Sequence, residues 1–282
     1  HGIPFTVKDL IDTEGVETAF GSYLMQGNVP TRDAVCVHRL KAAGAILIGK
    51  TTTPEFAGSV LTESIRYGVT RNPWDPEFSP GGSSGGSGVA VASGFGPLSL
   101  ATDGAGSARI PASCCGVLGL KPTLGRVPHE LAPDLFGNFT HMGAMTRNVG
   151  DLALMLNVLS GPHSGDPWSI GRAWQPVAIS KVQDGGVETK KVLYFARIGN
   201  PLLAHESSKL CMQAIDYLTN RGLEVVEHTT EFDWSIDASR TIMRGLMSAR
   251  MAKFDISERM RMGPAMQGSI AEGEKMTAEA MK

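Results

Sequence analysis

A chain of 282 residues with 42% hydrophobic and 19% charged side chains is long enough to bury a substantial core and too apolar to be disordered. Its formal net charge of -2 supplies no field for nucleic acid or an anionic membrane, and no apolar run reaches the ~18 residues a spanning helix needs. Thirty-four glycines against 6% aromatics point to tight turns and close backbone approaches.

Taken in chain order, IPFTVKDLID (Ile3 to Asp12) alternates as a strand does, with Phe5 and Val7 on one face and Thr6 and Lys8 on the other. RDAVCVHRLKAAG (Arg32 to Gly44) has near-helical apolar spacing, with Gly44 as its stop. AILIGKT is too short an apolar run for a helix and predicts a buried strand. GSGVAVASGF then reads as a small-residue helix, PLSLATD as a strand, and GDLALMLNVLSG as an amphipathic helix with Asp151 near its positively polarised start. Pro162 to Thr189 turns loop-like, after which KKVLYFA, SSKLCMQAIDYLTNRG and LEVVEH read as strand, helix and strand. This alternation predicts an α/β sheet covered by helices. Methionines crowd the tail from Met243 to Met281.

Cys36, Cys114, Cys115 and Cys211 make no C-x-x-C and no zinc spacing, so reduced, buried thiols are expected, and with them a reducing, cytoplasmic compartment. The chain opens on His1 rather than Met, which implies a processed or truncated start and leaves a signal peptide open.

Four stretches carry candidate chemistry. GAILIGKT (Gly44 to Thr51) fits a phosphate-loop pattern, but the residues between its glycines are themselves the predicted strand, so the amides are not free to cradle an anion. Gly82 to Gly86 fits G-x-S-x-G around Ser84; the proline-rich NPWDPEFSP before it cannot be the central strand such a nucleophile turn requires. In LATDGAGSARIPAS (Leu100 to Ser113) a strand runs into small residues and a short helix. The amides of Gly104, Ala105, Gly106 and Ser107 could there form an oxyanion hole beside Ser107 as nucleophile, though a tight structural turn would read the same. Lys8 ends an apolar strand, where a lysine ordinarily snorkels to solvent.

The glycine-serine stretch SPGGSSGGSG (Ser79 to Gly88) has, alone, the composition of a flexible linker. Together and in order, however, GIPFTVKD, PGGSSGGSG, TDGAGSARIPAS and GLKPT, with GAILIGKTTTPEFA and MTRNVGDLALML beside them, resemble the amidase signature family over at least Gly2 to Asp166. The resemblance implies a mixed central sheet sandwiched between helices, and an amidase that uses two serines and a lysine without histidine, cofactor or metal. It makes Lys8 the catalytic lysine, Ser83 the bridging serine after a cis peptide bond, and Ser107 the nucleophile, 107 − 83 = 24 residues on.

Ser84, Asp103 and Arg109 are then supporting residues, with Arg109 anchoring the turn through Asp103 or a carbonyl. Gly81, Gly82, Gly85 and Gly86 would let the chain reach the cis geometry without Cβ clashes. Two positions depart from the family pattern: Ala105 stands where glycine is usual and Ala108 where a β-branched residue is common. An ionised Asp9 beside Lys8 would favour the charged amine, and alternation is expected to turn it to the opposite face.

The resemblance also implies that a helical segment before Lys8 and further sheet and helix after the last residue are missing. One amidase domain over residues 1–282 is expected, with a catalytic core at 1–166, a loop-rich connection at 167–190, and a strand-helix-strand and helical tail at 191–282. A small-molecule amide is the expected partner, with no nucleic acid and no membrane, and with a homodimer admitted. PHELAPDLFGNFTHMGAM (Pro128 to Met145) either lines an acyl pocket or is surface loop, and its sequon at Asn138 is read as accidental. The alternatives are the glutaminase component of a tRNA-dependent amidotransferase, and an inactive body of the same fold that only binds.

Overall fold

In the computed structural model, which describes residues 1–130, 139–171, 173–178, 191–198, 200, 202–228 and 236–277, the alternating run at the start becomes strand β1 (Pro4–Lys8). There follow α1 (Val35–Ala42), β2 (Ile46–Thr51), the two-residue strands β3 (Glu63–Ser64) and β4 (Gly68–Val69), α2 (Gly85–Ala92) and β5 (Leu98–Asp103). Then come α3 (Arg109–Cys115), β6 (Leu118–Leu120), β7 (His141–Thr146) and α4 (Val149–Leu159). The helix expected up to Gly44 ends at Ala42, and Gly44 takes the left-handed φ of +83° that a glycine stop supplies.

The main sheet has the order β2-β1-β5-β7-β6. β1 runs parallel to β2 and β5, whereas β7 is antiparallel to both β5 and β6, so the sheet is mixed. On one face Phe5, Val7, Leu98 and Leu100 pack against Val37 and Leu40 of α1 and Met155 and Leu159 of α4. On the other, Ala101 and Met145 meet Val91 of α2, Ala112 of α3 and Ala108 just before it. The small residues of the second face let those helices approach closely. A Cβ on Gly86 would overlap the backbone of Thr52, so this glycine is required by packing rather than by chain freedom.

A further core gathers Phe56 with the methionine-rich tail: Met247 and Met251 of α6 (Ile236–Met251), Phe254, Met262, and Met266 and Ile270 of α8 (Pro264–Gly273). Between them, α7 (Ile256–Arg259) starts at a capping box made by Asp255 and Glu258. Glu55 ties the tail down by accepting from the Ser22 hydroxyl (2.6 Å) and the Gly263 amide (2.7 Å).

Contacts divide the chain into two units, His1–Ile179 with Thr241–Lys282, and Ser180–Arg240. The second contains the expected strand-helix-strand: β8 (Lys191–Tyr194) and β9 (Glu224–Glu227) pair in parallel, joined through α5 (His205–Asn220). Much of the loop expected before it, residues 172 and 179–190, lies outside the described residues. All four cysteines are free, but only Cys36 and Cys115 are buried, while Cys114 and Cys211 are exposed; the expectation of buried thiols fails for those two. Among the described residues no helix is long and apolar enough to cross a membrane.

Candidate active site

β1 and β5 run parallel, β1 ending at Lys8 and β5 continuing past it to Asp103, and ligand sites in such sheets lie beyond the carboxyl ends of the strands. Lys8 does not snorkel: it is 0% exposed. Its Nζ donates to Ser83 Oγ (2.7 Å) and Thr102 Oγ1 (2.8 Å). Burial pushes its pKa down to about 7, against the Asp103 carboxylate, which pulls it up. About half the amine is then neutral at pH 7, where a free lysine has roughly one molecule in 2,500 in that form.

Asp9 does turn away from Lys8. Its buried carboxylate accepts from the amides of Ala19 (3.0 Å) and Gly21 (3.3 Å) and from the Tyr67 hydroxyl (2.9 Å). Its carbonyl holds the amide of Phe20 (3.0 Å), so the residue after Lys8 fixes the segment that carries Phe20.

The peptide bond between Gly82 and Ser83 is cis, as the resemblance implies. Threonine hydroxyls brace this turn on both sides: Thr53 donates to the Ser83 carbonyl (3.0 Å), and Thr62 donates to the Gly81 carbonyl (2.7 Å) while accepting from the Gly85 amide (3.0 Å). Ser84 joins the two serine turns. Its amide donates to the Ser107 carbonyl (3.1 Å) and its hydroxyl to the Thr102 carbonyl (3.2 Å). The glycine-serine stretch is therefore a fixed turn and not a linker, and Ser84 has a bracing role in place of a nucleophile's.

Asp103 organises the turn that presents Ser107. Its carboxylate accepts from the amides of Gly106 (2.8 Å), Ala108 (3.2 Å) and Arg109 (3.3 Å), and from Arg109 Nε (2.9 Å) and Nη2 (3.0 Å). Burial alone would raise the Asp103 pKa, but the Arg109 guanidinium and these amides outweigh it and hold the carboxyl below its ordinary value. Arg109 thus anchors the turn as expected. Gly106 sits at φ +119°, where a side chain would be strained; Ala105 lies outside the left-handed region, so its methyl is accommodated. Since the Gly106 amide is committed to Asp103, it is withdrawn from the oxyanion-hole set proposed on sequence. Lys121, in the GLKPT block, donates to the Gly104 carbonyl (3.1 Å) and holds the far side of the turn.

Ser83, Thr102, Gly104 and Ser107 line one cavity of about 230 Å³. From the segment Pro128 to Met145, His129, Phe139, Thr140 and Met142 also line it, whereas residues 131–138, with the sequon's Asn138, lie outside the described residues. Ile46–Thr51 of the GAILIGKT stretch form strand β2, but not the buried strand expected: Ile46 and Ile48 are exposed. Its Lys50 donates to the Ile11 carbonyl and to the hydroxyls of Thr13 (3.1 Å) and Thr18 (2.8 Å), a brace for the chain beyond β1. Three contributors were invisible in sequence: Thr102, Thr53 and Thr62 are ordinary strand and loop threonines until the fold brings them to the serine turn.

Known proteins resemble this chain in sequence and in fold. The family model described as Amidase matches residues 1–272. An acylamidase of Rhodococcus erythropolis is 41% identical over 232 residues, which is 82% of this chain and 48% of that protein. A glutamyl-tRNA(Gln) amidotransferase component of Roseiflexus sp. (strain RS-1) is 39% identical over 263 residues, 90% of this chain and 52% of that one. The solved structure of a 6-aminohexanoate cyclic dimer hydrolase complexed with substrate superposes with a TM-score of 0.86 at 30% identity, covering 99% of this chain and 61% of that one. The chain spans about half the length of the curated relatives it matches. Among relatives of such varied activity the glutaminase alternative is not favoured. The matched residues, the fold and the two braced serine turns agree: the chain belongs to the amidase signature family.

Proposed function

We propose that this protein hydrolyses a carbon–nitrogen bond of a small linear amide through an acyl-Ser107 intermediate, in a reducing compartment such as the cytoplasm. One observation carries the reading: a fully buried lysine with a pKa of about 7 lies 2.7 Å from Ser83 Oγ, in a site whose cavity Ser107 also lines. Amide hydrolysis needs a nucleophile, an acceptor for its proton, and a donor to the departing nitrogen.

In this reading Ser107 Oγ attacks the carbonyl carbon. Its proton passes to Ser83 Oγ while the Ser83 proton passes to neutral Lys8, since a hydroxyl both donates and accepts. The amides of Gly104, Ala105 and Ser107 face the developing oxyanion. As the carbon–nitrogen bond breaks, the proton returns along the relay to the leaving nitrogen. Water then attacks the acyl carbonyl, the relay takes its proton, and the acid leaves with Ser107 restored.

A fluorophosphonate probe followed by peptide mass spectrometry tests this directly. Labelling at Ser107, lost in Lys8→Ala, is expected, because an unactivated serine does not react. A whole protein that turns over amides with Ser107→Ala in place removes the mechanism. An unlabelled, inactive protein would favour the body that only binds.

A further inference from the structure

The cavity that holds Ser83 and Ser107 is walled mostly by hydrocarbon and sulfur. Five of the protein's methionines, Met25, Met142, Met243, Met247 and Met251, line it, with Phe20 and Phe56 among the other walls. Two of these, Met247 and Met251, belong to α6 and to the methionine-rich core, in which Phe56 also packs. The wall is therefore the open side of a packed apolar core rather than a loose surface loop. Phe20 is held in place by the Asp9 carbonyl, one residue beyond the lysine. Methionine side chains are unbranched and adapt to the shape they meet.

We infer that the site selects amides with an apolar, unbranched acyl group of about eight carbons, and that α6, which lies outside every signature block, sets that preference. The inference rests on the amidase reading above. At the packing density of organic solids a cavity of about 230 Å³ holds about ten non-hydrogen atoms, the size of such an acyl amide. The acyl group, rather than the amine, belongs in the walled space because it stays bound to Ser107 through both half-reactions, while the amine must depart after the first. Charged side chains do reach the cavity, namely Asp12, Arg250 and Lys253. The Lys253 ammonium lies 5.0 Å from the centre of the Phe254 ring, so an aromatic face already shares its charge.

The test is ammonia release by the whole protein from acetamide, butyramide, hexanamide and octanamide, which keep one leaving group throughout. We expect kcat/KM to rise about fourfold per added methylene up to hexanamide or octanamide, the factor that burying a methylene supplies. Met243→Phe, which fills the cavity from α6, is expected to lower the octanamide-to-acetamide ratio about tenfold. A flat or falling series in a protein that does turn over acetamide overturns the inference and leaves the amidase reading standing. So does a preference for an amide with a terminal carboxylate, such as succinamic acid, over butyramide. If every amide is inert and Ser107 takes no fluorophosphonate, the amidase reading fails and the inference with it. Should Met243→Phe not fold, the chain-length series alone decides.

Discussion

A buried and a half-buried lysine leave neighbouring parallel strands at the same end of the sheet, and they have opposite fates. Lys8 closes β1 and pairs in register with Thr51, one residue beyond Lys50 on β2. Burial lowers both, Lys8 to about 7 and Lys50 to about 8. Their partners differ. Lys50 is pulled back up by Asp9, Asp12 and Asp33 and donates to a carbonyl and two threonine hydroxyls that brace the chain after β1. Lys8 meets two hydroxyls, one of them on Ser83. Both lysines meet hydroxyls, which can hand a proton on, but only the partners of Lys8, Ser83 and Thr102, line the cavity that Ser107 lines; Thr13 and Thr18 do not. Burial lowers a lysine's pKa; the chemistry of its neighbours decides whether its neutral form is of use.

The largest effects should separate the pair on activity. Ser107→Ala and Lys8→Ala are each expected to lower kcat/KM of the whole protein for its amide by about 10³–10⁴-fold, the range for loss of a nucleophile or general base. Lys50→Met should cost turnover less than about tenfold, yet cost about 2–4 kcal/mol in urea unfolding, because it strips the counter-charge from buried carboxylates. Equal losses of turnover in Lys8→Ala and Lys50→Met would erase the distinction.

Stability should next move in the reverse sense for Lys8. The folded pKa of Lys8 lies below its ordinary 10.5. Between about 7 and 10.5 the unfolded chain therefore binds a proton that the folded chain does not, and stability rises with pH across that window. Below about 7 both states are protonated and the full cost of burying the ammonium is present. Lys8→Met should thus be more stable than the parent at pH 6, by about 1–3 kcal/mol after the lost hydrogen bonds are counted. That advantage should shrink by pH 10. A Lys8→Met protein less stable than its parent at both pH values would mean that the buried amine supports the fold.

Much of this site was legible before any coordinates, for identifiable reasons. Lys8, Ser83 and Ser107 sit in contiguous blocks whose residue types are each tied to one local shape. The strands β1, β2 and β5 and the helices α1, α2 and α4 follow from periodicity and glycine stops. What stayed hidden depends on long-range pairing. Thr6 bonds Ser99 across β1 and β5 (2.7 Å), so strict alternation assigns Thr102 to the face opposite Lys8; its hydroxyl nevertheless lies 2.8 Å from Nζ. β7 (HMGAMT) is made of small residues and methionine without a period-two pattern, and only its pairing with β5 makes it a strand. The methionines of α6 read as a charged, glycine-poor tail, because nothing local shows that Phe56 will receive them.

Thr102 offers the finest test of why Lys8 and Lys50 differ. With Lys8 as the base, kcat/KM should rise tenfold per pH unit at acid pH and flatten above about 7. The Thr102 oxygen accepts from Nζ, which favours the ammonium form, so Thr102→Val should leave Lys8 easier to deprotonate. The midpoint should then move to lower pH by about half a unit, with a plateau reduced only a few-fold because Ser83 remains in place. A purely structural threonine would change the plateau and leave the midpoint where it was. Should the midpoint instead shift in Lys50→Met while Thr102→Val leaves it fixed, the titrating base would be the lysine assigned here to bracing.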